Sequence, residues 1–216
     1  MLSTKSVVEV SSKSKTLTPG LHKVKINNIT LQPTPYDQTQ YNVNLNVEGE
    51  DLGENFEGFL SDPANPSSPR YKGQIGSVGL SQYAYKDAVL KTGTEISRAQ
   101  SILRALNGLA KALNKKDQLD TIEANSIEEF VEEADKVLSG PTYINMVIAG
   151  KAYENKQGYT AYNLFVAAAK DGKYGYEQDG VKDSKLVEFN PNVHIVGLKP
   201  KEVESFTPAA EKPFEL

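Results

Sequence analysis

The segment that decides the fold is YINMVIAGKAYENKQGYTAYNLFVAAA, residues 143–169. Two runs of strand-like alternating residues flank the tetrapeptide NKQG at 155–158. Asparagine and glycine are favoured in tight turns between strands, because both tolerate a positive φ. The segment therefore predicts a β-hairpin.

Three earlier runs extend the predicted sheet. Residues 20–32, GLHKVKINNITLQ, alternate with one change of period near Asn27–Asn28, which predicts a strand with a bulge. Residues 41–50, YNVNLNVEGE, alternate strictly and predict a second strand. Residues 55–61, NFEGFLS, read as a third strand that bends at Gly58.

The stretch from 62 to 93 is rich in proline and glycine and predicts a long loop. Its glycines at 73, 76 and 79 have the wrong spacing for a dinucleotide fingerprint, so we interpret them as part of a flexible loop. Two helical periodicities follow between 94 and 140. The second opens with Ser126 and Glu129 at the spacing of a capping box and ends at Gly140–Pro141.

Three strands, a helical stretch and a hairpin follow the element order of an oligonucleotide/oligosaccharide-binding (OB) barrel. The predicted fold class is α+β: a five-stranded OB-like β-barrel with a two-helix insertion between strands 3 and 4. The predicted domains are the barrel (1–93 and 141–198), the helical insertion (94–140) as a distinct subdomain, and a flexible C-terminal tail (199–216). Any α+β domain with a helical insertion gives a similar order, so other topologies stay open.

The chain is poor in residues for covalent or metal chemistry. It has no cysteine and two histidines, His22 and His194, both in predicted strands and outside any catalytic pattern. Cysteine nucleophiles and thiolate zinc sites are excluded, and no phosphate loop occurs. We therefore expect no enzyme, no metal and no cofactor. No apolar run is long enough to span a bilayer and no secretory signal opens the chain, which predicts a cytoplasmic protein without a membrane partner.

Charge is unevenly distributed along the chain. The formal net charge is −4, yet residues 1–31 hold five lysines against one glutamate, whereas residues 94–140 hold six basic and nine acidic residues. Because fields are local and screened within about 10 Å, an acidic total does not exclude a nucleic-acid partner.

Tyrosines and lysines together predict a surface for a single nucleic-acid strand, where cations follow the phosphates and bases stack on rings. Six of the eleven tyrosines lie between 142 and 177. The candidate nucleic-acid-binding residues are Lys23, Lys25, Arg70, Tyr71, Lys72, Lys151, Tyr153, Lys156, Tyr159, Tyr162 and Tyr174.

Strand alternation forbids placing all of these rings on one face. We predict that Tyr143 is buried, together with one of Tyr159 and Tyr162, and that Tyr153 and Tyr174 lie on the binding face. Tyrosine also favours strands for packing alone, so a purely structural role for the cluster is the alternative.

Four stretches carry a family resemblance: Gly150–Tyr153, Lys156–Gly158, Tyr162–Phe165 and Pro19–Ile26. They resemble bacteriophage single-stranded-DNA-binding proteins with an OB fold. The resemblance covers the two β portions and leaves the helical insertion outside. It implies a sequence-tolerant DNA-binding protein of phage replication or recombination, located in the host-cell cytoplasm.

Members of that family often end in an acidic tail with a terminal aromatic residue that recruits replication proteins. Here Glu211, Phe214 and Glu215 form a reduced version without an acidic run. The resemblance thus implies replication proteins as partners, reached through the C-terminal tail or the helical insertion.

Two other functions stay open at this stage. A phage structural or assembly protein would use the helical insertion as a protein-interaction surface, with the tyrosines filling the barrel. A carbohydrate-binding β-domain would use the tyrosines without needing the lysines. Binding that weakens steeply with salt distinguishes a phosphate-binding protein from one that associates through helices.

Overall fold

The computed structural model describes residues 14–89 and 92–197. The predicted C-terminal tail and most of the basic amino-terminal leader lie outside these residues. In chain order the described strands and helices are β1 (Gly20–Pro33), β2 (Tyr41–Gly49), β3 (Phe59–Leu60), β4 (Arg70–Tyr71), β5 (Ile75–Gly79), β6 (Ala88–Val89), β7 (Glu95–Ile96), α1 (Arg98–Ala112), α2 (Lys116–Leu119), α3 (Ile127–Leu138), β8 (Tyr143–Glu154), β9 (Thr160–Val166), β10 (Tyr176–Gln178), α4 (Pro191–His194) and β11 (Ile195–Gly197).

The fold is α+β, and its mixed sheet contains five strands arranged in a ring. β1 pairs with β2, β2 with β5, and β8 with both β1 and β9, all antiparallel. A parallel pairing between β5 and β9 completes the ring. The predicted hairpin is confirmed as β8 and β9, and the predicted bulge appears as a register shift between Ile26 and Asn28.

The third strand of the ring is not the predicted one. Residues 55–61 contribute only β3, which pairs with β4, whereas the ring strand β5 lies in the stretch interpreted as a flexible loop. Its glycines allow close packing: a Cβ at Gly73 would lie 2.0 Å from the Gly49 carbonyl oxygen, and one at Gly76 would lie 3.3 Å from the Leu17 side chain. Glycine that permits close approach looks the same in a sequence as glycine that permits flexibility.

The two long helices begin at serine caps. Ser126 Oγ accepts a hydrogen bond from the Glu129 backbone N–H, as the sequence predicted, and Ser97 forms a reciprocal capping box with Gln100. The short α2 lies between them, so three helices separate β5 from β8 where two were predicted. His194, predicted in a strand, ends the short helix α4.

Helices and strands share one hydrophobic core. Ile102, Leu106 and Leu109 of α1 are fully buried, and they pack in one cluster with residues of α3 and the inward side chains of the ring. A smaller cluster on the outer side of β8 and β9 includes Val147 and Phe165 and is covered by residues 186–196. One core thus connects the ring and the helices. The division into barrel and helical subdomain stays a prediction.

Candidate functional site

Polar side chains line up across the outer face of the ring. Residues that pair directly between neighbouring strands lie on the same face of a sheet. Asn28 of β1 pairs with Asn46 of β2, and Asn46 pairs with Ser77 of β5. On the other side of the ring Asn163 of β9 pairs with Lys151 of β8.

The parallel pairing of β5 and β9 joins these two halves. Val78 lies beside Leu164, and each is preceded by a polar residue, Ser77 and Asn163. Because parallel strands advance together, these two preceding residues are also neighbours. The result is one polar row across five strands, composed of Asn28, Asn46, Ser77, Asn163 and Lys151.

The polar row faces away from the core. Its flanking residues Leu45, Val47 and Val78 are buried, and strand alternation sends the polar neighbours outward. Further amides extend this outer face along β1 and β2: Gln32, Asn42 and Asn44. Asparagine is depleted in strands, so sheet propensity does not account for this concentration of amides. Each amide can donate and accept hydrogen bonds, which suits it to a polar ligand.

An open groove of about 580 Å³ lies over the β1–β2–β5 part of the polar row. Asn28, Asn46 and Ser77 line it, and so does Tyr71 of β4. The groove thus combines amide donors and acceptors with one aromatic ring. Of the eleven candidate nucleic-acid-binding residues, all of which lie in the described ranges, Tyr71 alone lines this groove.

A buried carboxylate holds the Tyr71 segment in place. Glu48 is 5% exposed, and its Oε1 accepts hydrogen bonds from the backbone N–H groups of Lys72 and Gly73, at 3.0 and 3.2 Å. Its Oε2 lies 3.1 Å from Lys25 Nζ. Asn27 Nδ2 donates to the same Oε2 at 3.5 Å, so four donors satisfy this carboxylate, which positions the groove wall.

Lys23 and Lys25, both predicted to bind phosphate, are engaged by acidic side chains. Lys25 pairs with Glu48, while Lys23 Nζ lies 2.8 Å from Asp179 and 3.3 Å from Glu50. The hydrogen bond to Asp179 is the largest cause that raises the pKa of Lys23, and the same bond lowers the pKa of Asp179. The local charge on this face of β1 is therefore largely balanced.

The cations of the β3–β4 region bind backbone carbonyls. Lys72 Nζ donates to Phe56 O at 2.6 Å, and Arg70 donates to Gly58 O at 3.1 Å and lies 3.9 Å from the Glu57 carboxylate. Lys15 Nζ donates to Leu60 O at 2.8 Å. These bonds rigidify the segment beside the groove, and Arg70 and Lys72, on either side of Tyr71 in the chain, stay exposed.

The hairpin residues predicted as one binding surface fall on different faces. Lys151 and Tyr153 are exposed on the outer face, at the β8 end of the polar row. Tyr162 pairs with Ala152 on the inner face, where its ring lies over Gly150. Lys156 and Tyr159 lie in the turn, where Asn155 Oδ1 accepts from the Tyr159 backbone N–H at 3.0 Å. Tyr174 is exposed beside a separate pocket.

The prediction that Tyr143 is buried is wrong. It is half-buried on the outer face, with Lys23 Nζ 5.9 Å from its ring centre. The tyrosines that pack against the core are Tyr41, Tyr85 and Tyr176. Burial raises the pKa of Tyr176 to about 12, and its hydroxyl donates to Ala105 O at 3.3 Å.

Sequence reasoning missed Tyr36, which is 99% exposed in the loop between β1 and β2. Asp37 orders this loop by accepting hydrogen bonds from the Thr39 backbone and hydroxyl and from the Gln40 side chain. These bonds, led by the one from the Thr39 hydroxyl, lower the pKa of Asp37. The signal in the sequence that could have identified Tyr36 is an aromatic residue in a turn between two strands, next to Pro33 and Pro35.

Within 14–89 and 92–197, no three histidine or acidic side chains gather as they would around a metal ion. The helices in those ranges also lack the length and apolarity needed to cross a membrane. Comparison with protein-family models, curated proteins and solved structures finds no match to this chain.

Proposed function

We propose that this protein binds single-stranded DNA without sequence preference, along the polar row and its groove. The observation that carries the proposal is the continuity of the polar row across all five strands of the ring. Amides meet phosphates, sugars and base edges equally well by hydrogen bonding, and exposed rings stack on any base. Such a surface favours a strand of nucleic acid over a compact ligand.

The strand pairing supports an OB-like barrel as the finer description of the ring. The order β1–β2–β5–β9–β8, returning to β1 with helices between the third and fourth strands, is the order of that barrel. OB barrels bind oligonucleotides on the face of their second and third strands and with the loops after their first and fourth strands. Here these are β2, β5, the Tyr36 loop and the turn with Lys156 and Tyr159.

The proposed interface has few cations. Lys72, Lys151 and Lys156 form no ion pair within the described ranges, and Arg70 has only a long one. With three to four phosphate contacts at about 0.7 per contact, the logarithm of the affinity should fall with the logarithm of salt with a slope of about −2 to −3. Hydrogen bonds and stacking then supply much of the affinity, and no bond is made or broken.

A role in phage DNA replication or recombination is part of the same proposal, and the sequence resemblance supports it. The alternative role, assembly through the helical insertion, needs an uncovered apolar face on α1 or α3. Their apolar stripes are instead buried in the core; only Leu103, at 37% exposure, stands out among the large apolar residues of these helices. No observation in the described residues favours that alternative.

The experiment is an anisotropy titration of fluorescein-labelled oligo-dT with the full chain at several salt concentrations. We expect binding at low salt with the slope above, and a loss of about tenfold or more for Tyr71→Ala, since stacking on a ring contributes about 1–3 kcal/mol per base. Tyr71→Phe is the matched control and should bind as the wild type does. Failure of the wild-type protein to bind at low salt would overturn the proposal.

A further inference from the structure

A second concavity lies beyond the ends of β5 and β9, with a volume of about 220 Å³. It is lined by residues 80–83, which follow β5, by residues 166–169 at and after the end of β9, and by residues 174–176. Tyr83 and Tyr174 are 74% and 53% exposed at this concavity. We call it the tyrosine slot.

The base of the tyrosine slot is apolar. Leu80, Val166 and Ala167 line it and are all buried, at 7%, 6% and 3% exposure. A flat ring entering here would lose water from both faces, against apolar carbon below and a tyrosine beside it. This combination of an apolar floor and exposed aromatic rings suits a planar aromatic ligand.

Both tyrosines stand on fixed backbone. The Tyr174 N–H donates to Lys185 O at 2.6 Å, and the Tyr174 carbonyl accepts from Val187 N–H at 2.9 Å. Next to it, a Cβ at Gly175 would lie 2.1 Å from Ala167 O, so the chain is packed tightly. On the other side, the Tyr83 N–H donates to Ser81 Oγ at 3.1 Å, and Tyr85, two residues further on, exchanges two backbone hydrogen bonds with Tyr41. A slot on fixed backbone loses little entropy when a ligand enters.

Two lysines adjoin the slot. Lys170 and Lys173 exchange backbone hydrogen bonds of 3.0 and 2.9 Å across a tight turn, in which Asp171 and Gly172 take positive φ. Lys173 directly precedes Tyr174, and neither lysine forms an ion pair within the described ranges. Positive charge beside an aromatic slot matches a ligand with a flat ring and an anionic group.

We propose that the tyrosine slot binds one nucleobase and that Lys170 and Lys173 meet its phosphate. The inference rests on the proposed function, because the base would belong to the same DNA strand. That strand would leave the outer face beyond Gly79 and Asn44, the pair at the end of the β2–β5 pairing. A free nucleotide has the same chemistry and is the other source of such a base.

Two measurements on the full chain test the slot. The first is a titration of wild-type protein with dTMP, followed by ¹H–¹⁵N NMR. We expect shifts concentrated at residues 80–83, 166–169 and 170–176. The second is oligo-dT affinity of the double variant Tyr83→Ala/Tyr174→Ala, with Tyr83→Phe/Tyr174→Phe as the matched control. We expect the alanine variant to bind at least about fivefold more weakly and the phenylalanine variant to bind normally.

The outcomes separate this inference from the proposed function. Shifts at the slot with dTMP, but unchanged oligo-dT affinity in the alanine variant, would identify a free-nucleotide site. Shifts with dTMP while oligo-dT does not bind at all would support the slot and overturn the proposed function. No shifts with dTMP and unchanged oligo-dT affinity, while Tyr71→Ala still weakens binding, would overturn the slot alone.

Discussion

Two pairs of lysines were predicted to meet phosphates, and the fold places them in opposite electrostatic situations. Lys23 and Lys25 project from β1 toward carboxylates contributed by other parts of the chain. Lys151, at the end of the polar row, and Lys156, in the hairpin turn, form no ion pair in the described part of the chain. Equal charge in the sequence therefore gives unequal charge at the surface.

The difference arises from which strands adjoin each lysine. β2 places Glu48 opposite Lys25, and the residues after β10 bring Asp179 to Lys23. Lys151 instead pairs with Asn163 of β9, which is a neutral neighbour. A phosphate that approached Lys23 would have to displace a carboxylate, whereas one that approached Lys151 would displace only water. We therefore expect the β1 lysines to contribute to stability and the hairpin lysines to contribute to binding.

The largest effect should follow from removing the carboxylate that organises the β1 side. Glu48→Ala leaves Lys25, the part-buried Lys72 N–H and the buried Gly73 N–H without their acceptor, and should lower the free energy of unfolding by about 2–4 kcal/mol. Urea unfolding measures this. The matched control is Glu50→Ala, which removes an exposed partner of Lys23 and should change stability little. Equal effects of the two variants would contradict a positioning role for Glu48.

The hairpin lysines should show the opposite behaviour. Lys151→Ala and Lys156→Ala should each weaken oligo-dT binding about three- to tenfold and reduce the salt slope by about 0.7, because each removes one phosphate contact. Stability should stay within about 0.5 kcal/mol of wild type, since both are surface substitutions. Anisotropy titrations and urea unfolding measure both properties. A normal salt slope in both variants would remove these lysines from the interface.

Lys25→Ala is the corresponding change on β1. It leaves the Glu48 carboxylate without its cation, so it should cost about 1–2 kcal/mol of stability while oligo-dT affinity stays within about twofold. The same two measurements apply. A loss of affinity as large as that of Lys151→Ala, with unchanged stability, would show that the two pairs of lysines do not differ as we propose.

Much of the ring could be predicted because period-two alternation is a local signal. It located β1, β2, β8 and β9, including the bulge near Asn27–Asn28. β5 could not be predicted in this way, because the glycines at and before it indicate a loop. In the structure Gly73 instead approaches the Gly49 backbone, and Gly76 packs against the side chains of Leu17 and Leu164. Local sequence does not show which distant chain segment approaches a glycine.

The candidate site was less predictable than the fold. The outward asparagines of β2 were visible in the sequence, but only the register of β1, β5 and β9 shows that they belong to a row across the sheet. Likewise, the acids that engage Lys23 come from residues 27 and 156 positions away in the chain, at Glu50 and Asp179. Tertiary pairing, and not composition, decides which charges stay available.

The smallest effect is expected for the pH dependence of the Lys23–Asp179 pair. The pKa of Asp179 is lowered by Lys23, so its contribution to stability is present above about pH 4 and is lost as the pH falls through the lower folded-state pKa. The pKa of Lys23 is raised by Asp179, so its contribution is present below about pH 10 and is lost as the pH rises through the higher folded-state pKa. Melting temperatures of wild type and Lys23→Ala should therefore differ slightly at pH 7 and converge once the pH has fallen below the lowered folded-state pKa of Asp179. A constant difference across this range would contradict the pairing.

The most direct test of the central claim is a ¹H–¹⁵N NMR map of the full chain titrated with oligo-dT. The account predicts that shifts concentrate along the polar row, at Asn28, Asn46, Ser77, Asn163 and Lys151, and at the groove residue Tyr71. The ion-paired residues Lys23 and Lys25, and Asn145, which pairs with Lys23 between β1 and β8, should change little. Shifts concentrated at these three residues or on α1 and α3, with the polar row unchanged, would contradict it.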